Sequence, residues 1–354
     1  MSWFTLMEMA LVAIMTVYLT YHTHLVFRPI REAKLITFLI IVVLIFLCQI
    51  SMNVFGFLVN TCFCFIVFDI INLILFKTKL NRYFKLIYRR GIIALVISII
   101  LSGYGIYNAK NIVVTTYDVE INKNFEDKRL MVVSDVHLGT AIGKDDLDKI
   151  NDEANEINPD AIVLLGDIYD EGTTQDEFDY SLEVFSKLAA DFSVYYVEGN
   201  HEIGFQGGSP LKEFNVVDNL EKIGVQVLLD QVVQLDDIYL IGRQDYSVKS
   251  RVALENLTSN LDKDKPLVLL DHQPHEYDIS KEQGIDLELS GHSHAGQIFP
   301  LEYFYNLINV NDLNYGMETD GNFNAIVTSG MGTWGYAMRT SRHSEILVVN
   351  LISN

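Results

Sequence analysis

The sequence predicts an α/β sandwich, with sheets in the middle and helices outside, set behind a four-helix transmembrane domain. Three observations predict it. Charge divides the 354 residues in two: residues 1 to 110 hold ten Lys and Arg against three acids (Glu8, Glu32 and Asp69), while the remainder holds 16 against 43. Four apolar stretches, each near the ~20 residues that cross a bilayer, fall within the basic front. From about Ile112 onward, short apolar runs alternate with segments of helical periodicity.

The apolar stretches run roughly over Trp3–Thr20, Leu35–Ile50, Val54–Phe76 and Gly91–Ile106. A short polar patch around Gln49, Ser51 and Asn53 separates the second from the third, which reads as a tight hairpin. The first stretch lacks a basic leader and a small-residue cleavage site, so it is expected to stay as an anchor. Arg28, Arg31 and Lys34 follow the first span, and Lys77, Lys79, Arg82, Lys85, Arg89 and Arg90 follow the third. Both loops are therefore expected in the cytoplasm. Four crossings then give a multi-pass protein of the cell membrane, its C-terminal domain outside the cytoplasm. Asp69 and Asn72 lie inside the third span, where an acid is costly and a functional suspect; pairing with a neighbouring helix or basic loop is the plain alternative. Cys48, Cys62 and Cys64 all fall in apolar segments and read as packing residues.

Residues 112–354 form the second domain. Expected strands are Leu130–Ser134, Ala161–Leu165, Val194–Val197, Ile238–Ile241, Leu267–Leu270, Leu287–Leu289, Ala325–Thr328 and Ile346–Val349. Several are continuous apolar runs, the mark of strands covered on both faces. Leu147, Ile150, Ala154 and Ile157 recur at helical spacing, as do Phe178, Leu182 and Phe185, and Gly224 is placed to end a helix. The acidity of this part argues against nucleic acid as a partner, since a phosphate backbone requires clustered Lys and Arg.

Polar residues follow five of these strands: Ser134-Asp135-Val136-His137, Gly166-Asp167, Gly199-Asn200-His201-Glu202, Asp271-His272 and Gly291-His292-Ser293-His294. Ligands bind beyond the carboxyl ends of strands in such sheets. Asp, Asn and His without sulfur suit two divalent cations such as Mn, Fe or Zn. A bridged pair of ions clamps phosphoryl oxygens and activates a water.

Taken together, these motifs resemble the calcineurin-like metallophosphoesterase family, over about residues 112 to 351. With the membrane front, the chain looks like bacterial integral-membrane members related to phosphodiesterases and lipid-A-precursor pyrophosphatases. The resemblance implies a four-layer α-β-β-α sandwich. It implies that Asp135, His137, Asp167 and His294 hold a first metal ion. Asp167, Asn200, His272 and His292 would hold a second, with Asp167 as the bridge. His201 would act on the leaving oxygen. The motif Gly291-His292-Ser293-His294-Ala295-Gly296 departs from the commoner Gly-His-Thr-His-Gly-Gly by a retained hydroxyl and one added methyl.

The expected activity is two-metal hydrolysis of a phosphoester or pyrophosphate bond on a lipid-linked substrate at the bilayer surface. Soluble nucleotide-type esters, or a catalytically idle receptor that keeps the fold, are the alternatives. Asp170 either orients a ligand or caps the next segment, and Arg243 either reaches a phosphate or forms an ion pair. Trp334 either walls the site or packs. The run Ile298-Phe299-Pro300-Leu301-Glu302-Tyr303-Phe304-Tyr305-Asn306-Leu307-Ile308 is unusually aromatic, and either rests on lipid or forms a satellite core.

Overall fold

The computed structural model describes residues 14–24, 35–37, 39–40, 43, 52–88, 91–204 and 210–354. The chain divides into two compact units, Met1–Ile106 and Tyr107–Asn354. Among the described residues, two helices are long and apolar enough to cross a bilayer, Met52–Leu75 and Ile92–Lys110. They coincide with the third and fourth expected spans. The first two, 3–20 and 35–50, fall largely outside the described residues, although 14–24 are helical.

Several polar groups in the first unit find partners on neighbouring helices, which offsets the cost of an apolar surround. Tyr18 OH donates to Asp69 Oδ2 at 2.6 Å, and His22 Nε2 lies 3.2 Å from the same oxygen. The His22 ring stacks on Phe65 at 4.4 Å. Thr61 and Ser98 share a hydroxyl hydrogen bond of 2.6 Å, and Asn60 donates to Ser102 at 3.2 Å. Asp69 is thus paired with the helix that carries residues 14–24.

Among its described residues the second unit holds twelve strands, β1 Ile112–Ile121, β2 Lys128–Val133, β3 Ala161–Leu165, β4 Val194–Val197, β5 Gln226–Val227, β6 Gln231–Leu235, β7 Ile238–Gly242, β8 Leu267–Leu270, β9 Leu287–Ser290, β10 Gly316–Asp320, β11 Phe323–Val327 and β12 Ser344–Ser353. They form two mixed six-stranded sheets, ordered β1-β12-β2-β3-β4-β5 and β10-β11-β9-β8-β7-β6. β2, β3 and β4 run parallel in the first sheet, and β7, β8, β9 and β11 in the second. The parallel strands of each sheet therefore end on a common side, where the polar motifs follow.

Alternation within single strands builds three apolar layers. Ile162 and Leu164 of β3 face the helices Lys144–Ile157 and Gln175–Asp191, packing with Leu147, Ile150, Phe178 and Phe185. Ala161, Val163 and Leu165 point the other way, into a layer shared with Leu240, Val268, Leu270 and Leu289 of the second sheet. Beyond that sheet, Ile241, Leu267 and Leu269 meet Leu254 and Tyr277 from two short helices. Helix, sheet, sheet and helix follow in order, and a strand buried on both faces has to be apolar throughout.

All eight expected strands are present. Sequence reading omitted β1, β5, β6 and β10, which are the four outer strands of the two sheets. Each has an exposed face or is very short: β10 reads Gly-Met-Glu-Thr-Asp and is exposed along most of its length. A search for continuous apolar runs cannot find such strands.

Candidate metal centre

The residues that follow β2, β3, β4, β8 and β9 converge at one end of the two sheets. Their backbones bend sharply to do so. Asp135, His137, Asp167, His292 and His294 all have φ between 44° and 67°. This left-handed region costs non-glycine residues about 1–3 kcal/mol each, so the surrounding packing has to enforce it. Backbone hydrogen bonds carry part of that load. His137 N donates to Asp167 O at 3.1 Å, and Asp135 N to Gly166 O at 3.0 Å.

Two clusters of donors result, Asp135 with His137 and His294, and Asp167 with His272 and His292. Within each, the donor atoms lie no more than 4.8 Å apart. In the first, His137 Nε2 is 3.1 Å from His294 Nε2, and His294 Nε2 is 3.4 Å from Asp135 Oδ1. In the second, His272 Nε2 is 3.0 Å from Asp167 Oδ2 but out of hydrogen-bond alignment. The same Asp167 oxygen is 3.8 Å from His137 Nε2, so Asp167 stands between the clusters. Asn200 Oδ1 is buried with no hydrogen-bond partner. Buried polar atoms are nearly always paired; Asn200 Oδ1 and His272 Nε2 are left without a hydrogen bond beside the other donors, which is what cations would satisfy, and the donors fit a binuclear site.

Electrostatics agree with the geometry. Burial works to raise the Asp167 pKa, but His272, His201 and His137 outweigh it and hold this carboxylate well below its usual range. Burial would depress His272, yet Asp167 and Asp135 raise it well above the ordinary imidazole value. A cation at that position would take the place of the His272 proton. The two remaining histidines behave differently. Burial, assisted by His272, pushes His292 down to about 4, and burial with His137 and Arg339 holds His294 well below its usual value. Both are therefore neutral at pH 7, with lone pairs free to coordinate.

His201 lies beside the clusters in a cleft of about 270 Å³ that also touches Asp167, Asn200, His292 and His294. Its Nδ1 is 2.9 Å from Glu171 Oε2, and its ring meets His137 edge-on at 4.9 Å. Burial opposes a proton there, but the Glu171 contact and Asp167 raise the pKa to about 9. His201 is thus an imidazolium facing the cleft. Trp334 forms part of the wall, its ring 5.7 Å from His201. Asp170 Oδ1 accepts from Gly172 N at 2.7 Å, closing the local turn, and its Oδ2 lies 3.4 Å from His137 Nδ1. Arg243 points elsewhere, buried against Asp271 and Glu276.

Sequence reading missed the supports. Glu202 accepts from the backbone N–H groups of Asp167 (2.9 Å), Gly199 (2.8 Å) and Tyr169 (3.0 Å), tying the β3 and β4 exits together. Gln297 spans the loop that carries Trp334, donating to the carbonyls of Trp334, Tyr336 and Met338 and accepting from Trp334 N. Glu202 follows His201 directly, so its place in that motif was its one visible signal.

Comparison with known proteins places these residues in a family. The family model described as calcineurin-like phosphoesterase matches residues 128–296. An uncharacterized metallophosphoesterase of Campylobacter jejuni is 31% identical over 77% of this chain and 71% of its own length. A similar protein of Helicobacter pylori is 31% identical over 66% of this chain, which spans 62% of that relative's length. A zebrafish transmembrane protein with a metallophosphoesterase domain is 29% identical, over 73% of this chain and 62% of its own.

The tight fit at Gly199 gives a direct test. A β-carbon there would collide with Asp167 Oδ1 and come within 2.5 Å of Asp167 N. Gly199→Ala is expected to weaken metal binding by about 10–100-fold, the usual cost of disturbing the support of a ligand. Metal analysis after desalting would read this, and two ions held as in the parent would refute it.

Proposed function

The chain belongs to the calcineurin-like metallophosphoesterase family, and from that membership we propose that it hydrolyses a phosphoester or pyrophosphate bond using two divalent metal ions. The observation that carries the reading is the meeting of two donor clusters at one buried carboxylate, Asp167. Mn, Fe or Zn suits the mixed oxygen and imidazole donors. Such ions, when bound, polarise phosphoryl oxygens and activate water for in-line attack. Asp135, His137, Asp167 and His294 would hold one, and Asp167, Asn200, His272 and His292 the other.

His201 carries the proton chemistry. Its imidazolium faces the cleft and is held by Glu171, so it can protonate the departing oxygen. An idle receptor would have no use for a proton donor beside complete ligand sets. His201→Ala should lower turnover by about 10²–10⁴-fold while both metals stay bound, and the loss should shrink for esters whose leaving group needs no proton. Full activity on a poor leaving group, or active parent enzyme without a bound transition metal, would overturn the assignment.

The finer part of the proposal is a lipid-linked substrate, of which the lipid-A-precursor type is one form. Its support is the helix Leu301–Ile308. Leu301 and Tyr305 line the cleft, and Glu302 is clamped by Arg342 at 2.6 and 2.9 Å. On the outer face Tyr303, Phe304, Leu307 and Ile308 are 61%, 53%, 76% and 68% exposed, so these residues form no satellite core. Exposed aromatic and aliphatic side chains at i, i+1, i+4 and i+5 suit an interfacial surface. Replacing Phe304 and Leu307 with Ser should raise KM about tenfold or more for a lipid substrate in bilayers, because each buried apolar side chain contributes about 1.5–3 kcal/mol. A small soluble diester should be spared. Equal losses on both, with a lowered Tm, would return the helix to a packing role and leave the soluble-ester alternative.

The proposal also keeps four membrane crossings, with the hydrolase domain outside the cytoplasm, on the strength of the two basic loops. After replacement of Cys48, Cys62 and Cys64, an exposed Ser186→Cys should react with an impermeant thiol reagent on intact cells. Reaction only after lysis would reverse the orientation.

A further inference from the structure

Arg339 is the largest fully buried side chain among the described residues. A guanidinium withdrawn from water needs strong partners, and here they are backbone carbonyls. Nη1 donates to His294 O at 3.0 Å, and Nη2 donates to Ser329 O at 2.8 Å and Gly332 O at 2.5 Å. These carbonyls belong to two segments far apart in sequence that meet at the first donor cluster.

One segment is His294 itself, whose backbone sits at φ 49°. The other is the loop 329–332, which lies against Asp135. Met331 N donates to Ser134 O at 2.9 Å, and Gly332 N donates to Asp135 O at 2.8 Å. Gly330 approaches so closely that a β-carbon on it would be 2.5 Å from Asp135 Cβ. A shift of this loop therefore shifts Asp135. The second cluster is held by other groups, since Glu202 fixes the Asp167 backbone and Leu165 O accepts from His272 Nδ1 at 2.8 Å.

We infer that Arg339 is a positioning residue for the first metal ion, its planar fork locking the backbone of His294 to the loop that seats Asp135. The inference rests on the two-metal reading proposed above. Lysine cannot replace it, because an ammonium on a single stem does not span carbonyls arranged around a fork. Losing the fork loosens two of the three side chains in the first cluster directly and reaches the second only through the His292 N–H, which donates to Asp135 Oδ1 and Oδ2 at 3.0 and 3.1 Å, so the two metals separate in affinity.

The test is a titration of full-length protein with Mn(II) alone, following free Mn(II) by electron paramagnetic resonance, alongside thermal melting. The parent should bind two ions. R339K should melt cooperatively and bind one ion as the parent does, with the other weakened by about 10–100-fold. Asp135→Asn should weaken the same ion, which identifies the site. If R339K fails to melt cooperatively, the titration is repeated on R339Q, which keeps a planar donor and should show the same split. Two ions bound by R339K at parental affinity would overturn the inference, as would loss of cooperative melting in both variants, which would make Arg339 a general core residue. A parent that binds no Mn(II) would instead bring down the two-metal reading.

Discussion

The arrangement of the second unit follows from one buried charge, the Asp167 carboxylate. Its side chain is removed from water, and an ion so placed costs several kcal/mol unless it is paired. The fold supplies that pairing from three directions. His272 comes from β8, His137 from β2, and the His201 N–H donates to Oδ1 at 2.8 Å from the β4 exit. Glu202 secures the Asp167 backbone from beneath. Strands from both sheets must end at the same level for these groups to meet, so sheet register and carboxylate solvation are one problem. The left-handed backbone at Asp135, His137, Asp167, His292 and His294 is the local cost of turning each exit inward.

That constraint explains what sequence could reveal of the fold. A strand beneath the site is covered on both faces, so its composition is apolar throughout and its chain position is plain, as for Ala161–Leu165 and Leu267–Leu270. The outer strands have no such signature. β6, Gln-Val-Val-Gln-Leu, has its two Gln exposed and the apolar residues half-buried, and β1 holds its place through its parallel pairing with β12. Such strands are defined by a partner distant in sequence, and no window of local composition contains that partner.

The site shows the same division. Seven donors and His201 could be singled out because each follows a strand end in a short polar motif. The residues that support them act through backbone atoms: Gln297 and Arg339 reach carbonyls 7 to 45 residues away, and a carbonyl carries no sequence identity. Trp334 was open between wall and packing until its ring was seen beside His201. Arg243 was open between substrate and ion pair, and its burial against Asp271 and Glu276 settles it as part of the structure.

Asp69 in the first unit offers the useful contrast. It too is an acid in apolar surroundings, and by cost alone it would rank with Asp167 as a functional suspect. What separates them is the state of the neighbours. Tyr18 OH donates to Asp69 and His22 Nε2 approaches within hydrogen-bond distance, so the carboxylate itself is answered. Around Asp167, Asn200 Oδ1 and His272 Nε2 are buried without hydrogen-bond partners. A folded chain does not leave several buried lone pairs converging on one point unless something else completes them. Burial of an acid therefore marks a place of high cost, while unanswered lone pairs around it mark a place of function. By that measure Asp69 is answered by the helix that carries residues 14–24, and Asp167 sits where the donors fit a cation.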